Sequence, residues 1–112
     1  RGGGIYAESC SGTASGNTFS GNKASSKGGG VAAKTGTLTL SGNTFTDNAG
    51  SSGGGVYTED DGDITGNTFS SNDAVYHGGG VYSEAGDGDY TGNTFSDNYA
   101  GEDGGGSAPS SA

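Results

Sequence analysis

Glycine triplets begin at residues 2, 28, 53, 78 and 104, and Gly-Asn-Thr-Phe blocks begin at 16, 42, 66 and 92. A repeat of about 25 residues at so steady a spacing marks a solenoid, in which each unit packs only on its neighbours. Four copies align over residues 2–27, 28–52, 53–77 and 78–103. A fifth opens at Gly104, so repeats occupy residues 1–106 and a Ser/Ala/Pro tail fills 107–112. The copies carry no helical apolar stripe. They are short β-prone runs broken by Gly, Asn, Asp and Ser. The pattern predicts an all-β chain, a right-handed single-stranded parallel β-helix of about four coils with three short strands in each.

Strands of successive coils lie about 4.8 Å apart, so equivalent side chains should form columns along the axis. The first strand places Ile5, Val31, Val56 and Val81 inward, with Ala7, Ala33, Thr58 and Ser83 as small inward partners. The second carries Ala14, Leu40, Ile64 and Tyr90, and the third stacks Phe19, Phe45, Phe69 and Phe95 as the main core. All eight asparagines fall in two columns: Asn17, Asn43, Asn67 and Asn93, then Asn22, Asn48, Asn72 and Asn98. An amide both donates and accepts, so such columns are expected to bond internally and to turn backbone groups. None of the eight opens an Asn-x-Ser/Thr sequon, so N-glycosylation is not expected. The glycine triplets mark a corner where positive φ or close backbone approach excludes a Cβ.

Composition alone points towards disorder, because Leu, Ile, Val and Phe total 12 of 112 residues at a net charge of −9. The fixed phase of those few apolar residues overrides that expectation. No apolar run is long enough to span a membrane, and membrane insertion of this segment is not expected. The chain starts at Arg1, as a mature product or a piece of a longer protein would. Cys10 is the one cysteine, which excludes an intrachain disulfide and suggests a surface thiol in an irregular turn, with an intermolecular bridge as the alternative.

Phe19-Ser-Gly-Asn22 leads into Gly28-Gly-Gly-Val31, and Phe45-Thr-Asp-Asn48 and Phe69-Ser-Ser-Asn72 lead into further GGGV triplets. Phe95-Ser-Asp-Asn98 leads into GGGSA. In order and phase this resembles the paired GGA[ILV] and FxxN motifs of the chlamydial polymorphic outer-membrane-protein repeats, over nearly the whole chain. The third triplet position departs, being Gly where that family usually has Ala. The resemblance implies a right-handed β-helix displayed outside the cell or at its surface, often adhesive, with glycans or a host surface as partners.

β-Helices also carry polysaccharide-processing enzymes, which need clustered carboxylates with Arg, Lys or His on one face. Here the chain has one histidine, His77, in the column of Lys27, Ser52 and Asp103, and one arginine, Arg1. Catalysis is not expected, and His77 reads as a solvated turn residue. A cofactor is not expected either, with one exception. Glu59, Asp61 and Asp63 stack on Glu84, Asp87 and Asp89, an oxygen-rich pair of turns that suits Ca²⁺ or forms a solvated acidic edge. The sequence also predicts an outward hydroxyl face, Thr18, Thr44, Thr68 and Thr94 beside Ser20, Thr46, Ser70 and Ser96. It resembles the flat arrays of β-helical ice-binding proteins, and equally a solvated strand with paired threonines or an O-glycosylated face. Tyr6, Tyr57 and Tyr82 should form an outward aromatic row broken by Ala32.

Charge is segregated. Residues 1–50 hold Arg1, Lys23, Lys27 and Lys34 against Glu8 and Asp47, a net of +2, while residues 51–112 hold eleven acids and no cation. Lys34 shares a column with Glu8, Glu59 and Glu84. A mildly basic end opposite a strongly acidic one, both reading as uncapped, predicts a structural module that stacks on itself head to tail into a filament. A segment cut from a longer array, such as an adhesin stalk, is the other expectation. Nucleic acid is excluded as a partner by the negative charge.

Overall fold

The computed structural model describes residues 4–7, 12–25, 27–34, 38–59, 63–83, 91–102 and 107–109. The first coil contributes β1 (Ile5–Ala7), β2 (Gly12–Ser15) and β3 (Thr18–Ser20). The second contributes β4 (Val31–Ala33), β5 (Leu38–Ser41), β6 (Thr44–Thr46) and β7 (Ala49–Ser52). The third holds β8 (Val56–Thr58), β9 (Asp63–Thr65), β10 (Thr68–Ser70) and β11 (Asp73–His77). Then come β12 (Val81–Ser83), β13 (Thr94–Ser96), β14 (Tyr99–Ala100) and β15 (Ser107–Pro109).

These strands form four parallel sheets, ordered β1-β4-β8-β12-β15, β2-β5-β9, β3-β6-β10-β13 and β7-β11-β14. The solenoid predicted from the repeat is thus present, with two differences. About three turns are complete among the described residues, because two sheets hold only three strands there. Each coil also has a fourth face, which the expectation of three strands omitted. That face begins in the first coil as a bridge from Lys23 to Ala49.

Every predicted column that lies among the described residues is in register. Ile5 pairs with Val31, Val31 with Val56, and Val56 with Val81. Ala14 pairs with Leu40 and Leu40 with Ile64, while Phe19, Phe45, Phe69 and Phe95 follow one another on the third sheet. The rings stack nearly parallel with centroids 4.8, 4.8 and 5.0 Å apart, which is the rung spacing itself. Val31, Val56, Leu40, Ile64, Phe45 and Phe69 are fully buried, as are the small partners Ala33, Thr58 and Ser83. Phe95 departs from the expected core role: it caps the stack at 38% exposure, because nothing described lies beyond its ring. Tyr90 and the side chain of Ala7 lie outside the described residues.

The corners explain how so little apolar surface makes a closed coil. One left-handed residue precedes each inward asparagine: Gly16, Gly42, Gly66 and Gly92 in one column, and Gly21, Asp47, Ser71 and Asp97 in the other. A single αL residue turns the chain sharply, and the asparagine that follows, buried in the inner coils at Asn43, Asn48, Asn67 and Asn72, meets the backbone groups left open by the turn. The triplet corner works differently. Gly53 takes φ +68°, and a Cβ on Gly55 would sit 2.6 Å from the carbonyl oxygen of Gly80 one coil on. Positive φ and close approach therefore both operate in the triplet, together at Gly53, where a Cβ would also meet the carbonyl of Val56, and close approach alone at Gly55.

Candidate functional site

The asparagine columns are continuous, one-way ladders. Asn43 donates its backbone N–H (2.8 Å) and its Nδ2 (3.1 Å) to Oδ1 of Asn67, and Asn67 donates likewise to Asn93. The second column repeats this through Asn22, Asn48, Asn72 and Asn98. The other Nδ2 hydrogen turns back to a carbonyl of the preceding coil, as from Asn72 to Phe45 O at 2.9 Å. No buried side-chain polar atom among the described residues lacks a partner. Every rung gives to the next and receives from the one before. At one end, then, Oδ1 of Asn17 and of Asn22 receives no hydrogen bond among the described residues. At the other, Asn93 and Asn98 have no following amide oxygen to which they can donate.

The hydroxyl face has the predicted orientation. Thr18, Thr68, Thr94, Ser20 and Ser96 are exposed, and Thr44, Thr46 and Ser70 are half-buried. Their strands pair without a register shift, so the eight residues form two straight rows over the phenylalanine stack. Ser96 donates to the adjacent Asp97 at 3.4 Å. Such a face presents regularly spaced donors, acceptors and methyl groups.

The tyrosine row is a correction. Tyr57 is 2% exposed and Ala32 equally buried, whereas Tyr6 and Tyr82 retain solvent. Strand alternation places this column outward, but the chain that enters the glycine corner folds over it. Lys27 sets its Nζ 4.8 Å from the centroid of the Tyr57 ring, and the Tyr57 hydroxyl donates to Glu59 Oε2 at 3.1 Å. Tyr57 stacks on Tyr82 at 5.8 Å, and the His77 ring lies 5.7 Å from Tyr82. His77 pairs in register with Ser52, as its column predicted, and its Nε2 is 3.7 Å from Glu102 Oε1. It is a third exposed and packed among aromatic rings, not a purely solvated turn.

The acidic group is divided by the limits of the described residues. Asp61, Glu84, Asp87 and Asp89 lie outside them. Glu59 accepts from Tyr57, and Asp63 pairs with Thr39 on β5. No cluster of three potential metal ligands occurs among the described residues. Glu8 also lies outside them, as do Cys10, Arg1 and Asp103. Lys34 is exposed, and among the described residues it makes no ion pair with Glu59.

The sequence did not reveal the fourth face as a surface. Val75, Tyr76 and Tyr99 stand there at 62, 48 and 64% exposure. Coil three has one residue more between Asn72 and Gly78 than coil two has between Asn48 and Gly53. The surplus forms an irregularity between Ala74 and His77 that turns Val75 and Tyr76 outward. That one-residue difference was the only available signal.

Residues 1–108 match the family model described as the right handed beta helix region. The chain belongs to the right-handed β-helix family. No curated protein and no solved structure matches it. Right-handed β-helices serve both as enzymes and as non-catalytic scaffolds, so membership establishes the scaffold and its role must be argued from the side chains. In this β-helix the buried polar residues complete the scaffold, and among the described residues the outward-facing chemistry lies on the hydroxyl face and at the two ladder ends.

Proposed function

We propose that this β-helix is a non-catalytic structural module, displayed outside the cell, whose coils continue head to tail onto those of a second copy. The polarity of the asparagine ladders carries this reading. Among the described residues, Oδ1 of Asn17 and of Asn22 accepts nothing and faces one way along the axis, while Asn93 and Asn98, whose Nδ2 groups donate back to Ile64 O and Phe69 O, have no amide oxygen ahead of them on the other side. The two ends therefore complement each other as successive rungs do. The charge asymmetry, +2 over residues 1–50 and −11 over residues 51–112, supports the same polarity. The extracellular placement rests on the resemblance to surface-displayed repeats.

Electron microscopy and sedimentation of the 112-residue polypeptide at low and high salt test it. Fibres with an axial repeat of about 19 Å, four rungs at about 4.8 Å each, and weaker assembly at high salt are expected. A monodisperse monomer at both salt concentrations, with and without residues 107–112, overturns the reading.

A second reading is favoured by one observation, the two straight rows of Thr and Ser on β3, β6, β10 and β13. It assigns that face to binding ice or a glycan. Thermal hysteresis and glycan-array binding test it, and variants Thr44→Lys and Thr68→Lys should abolish either signal without unfolding the coil.

A further inference from the structure

Among the described residues the first sheet reaches furthest at the acidic end, one strand beyond the sheets that finish on β13 and β14. β15 pairs with β12 there, matching Ser107 to Val81, Tyr82 to Ala108 and Ser83 to Pro109. At the opposite end, among the described residues, β1 is the edge strand and pairs with β4 alone, and Ile5 and Tyr6 on it are 38 and 37% exposed. Consider a second copy placed so that the ladders continue, with Oδ1 of its Asn17 receiving from Asn93 and that of its Asn22 from Asn98. Its Phe19 ring then falls one rung beyond the exposed ring of Phe95. Its β1 falls one rung beyond β12, and that position is the one β15 occupies. Ladder, ring stack and sheet register define a single docked position, and it collides with residues 107–109.

We infer that β1 of a second copy docks on the edge of β12 by displacing β15, so that Ser107–Pro109 is an intramolecular occupant of the assembly interface. This rests on the head-to-tail reading above. The two candidate occupants are unequal. In register, β15 matches Ser107 to Val81, whereas a second copy would match Ile5 there, a β-branched residue of higher strand propensity. β15 also ends on Pro109, whose missing N–H weakens the edge it presents to any further rung. A second copy brings β3 and both ladder ends as well, none of which β15 can supply. The short strand closes the edge in the monomer and yields to the fuller match.

The test compares the full chain with a variant lacking residues 107–112, with Ser107→Val and with Ile5→Asp, by light scattering and sedimentation. Hydrogen exchange at Thr44–Thr46 verifies that each remains folded. Removal of the tail should lower the concentration needed for assembly about tenfold, the size expected from the loss of one modest competing contact. Ser107→Val should raise it by strengthening β15, and Ile5→Asp should abolish assembly. If the tail deletion and the full chain assemble at the same concentration, or Ile5→Asp assembles normally, the displacement inference falls and stacking itself stands. If none of the four assembles at any salt concentration, both fall.

Discussion

Asn48 delivers two hydrogen bonds, from its backbone N–H and from its Nδ2, to the single Oδ1 of Asn72 on the next coil, each at 3.0 Å. Both residues are fully buried. Asn72→Ala removes that acceptor and the donor that serves Phe45 O and Asn98 Oδ1. An unsatisfied buried polar group costs about 1–3 kcal/mol, so the variant should lose at least about 3 kcal/mol in urea unfolding. Asn22→Ala, on a half-buried first rung, should lose distinctly less.

The phenylalanine stack predicts a gradient along the axis. Phe45→Ala opens a cavity between two parallel rings and should cost about 3–5 kcal/mol. Phe95→Ala removes a ring already 38% exposed, and about 2 kcal/mol is expected from the smaller area returned to water. Denaturant titration of the two variants against the parent checks the order.

Backbone conformation supplies a pair with opposite signs. Gly55→Ala would bring a methyl group to 2.6 Å from Gly80 O and 3.0 Å from Phe69 Cδ1, and should destabilise by about 1–3 kcal/mol. Ser71 already occupies the left-handed region at φ +57°, in the column where coil one has Gly21. Ser71→Gly removes a Cβ penalty of about 1–2 kcal/mol and restores some unfolded-chain entropy. A net gain of about 0.5 kcal/mol is expected, read as a rise in melting temperature.

Lys27 over Tyr57 is a cation–π contact worth about 0.5–1 kcal/mol. A double-mutant cycle with Lys27→Met and Tyr57→Leu should recover a coupling of that size. Additive effects would show that the ammonium contributes nothing through the ring.

The register was legible in the sequence wherever one large residue type recurred in phase. Phe19 to Phe95, the Val31 column and both asparagine columns announce themselves, because a β-helix repeats every contact at one spacing. The hydroxyl rows followed by alternation. The fourth face did not, since Ala49-Gly50-Ser51-Ser52 offers only small and polar residues, and the face buries only the small residues Gly50, Ser52 and Ala74. Tyr57 was misplaced because alternation sees one strand at a time. Its burial comes from Lys27 and the corner that returns across it, a contact between segments that no period encodes.

All the strands lie across the solenoid axis, so their hydrogen bonds and both asparagine ladders run along it. Tension applied along the axis therefore meets these bonds one rung at a time, as in a zipper, and not many at once, as in shear. The molecule should yield at modest force in discrete steps. Each step frees one coil of about 25 residues, or about 85 Å of extended chain. A strand of such coils would lengthen by unravelling while the remaining rungs stay intact.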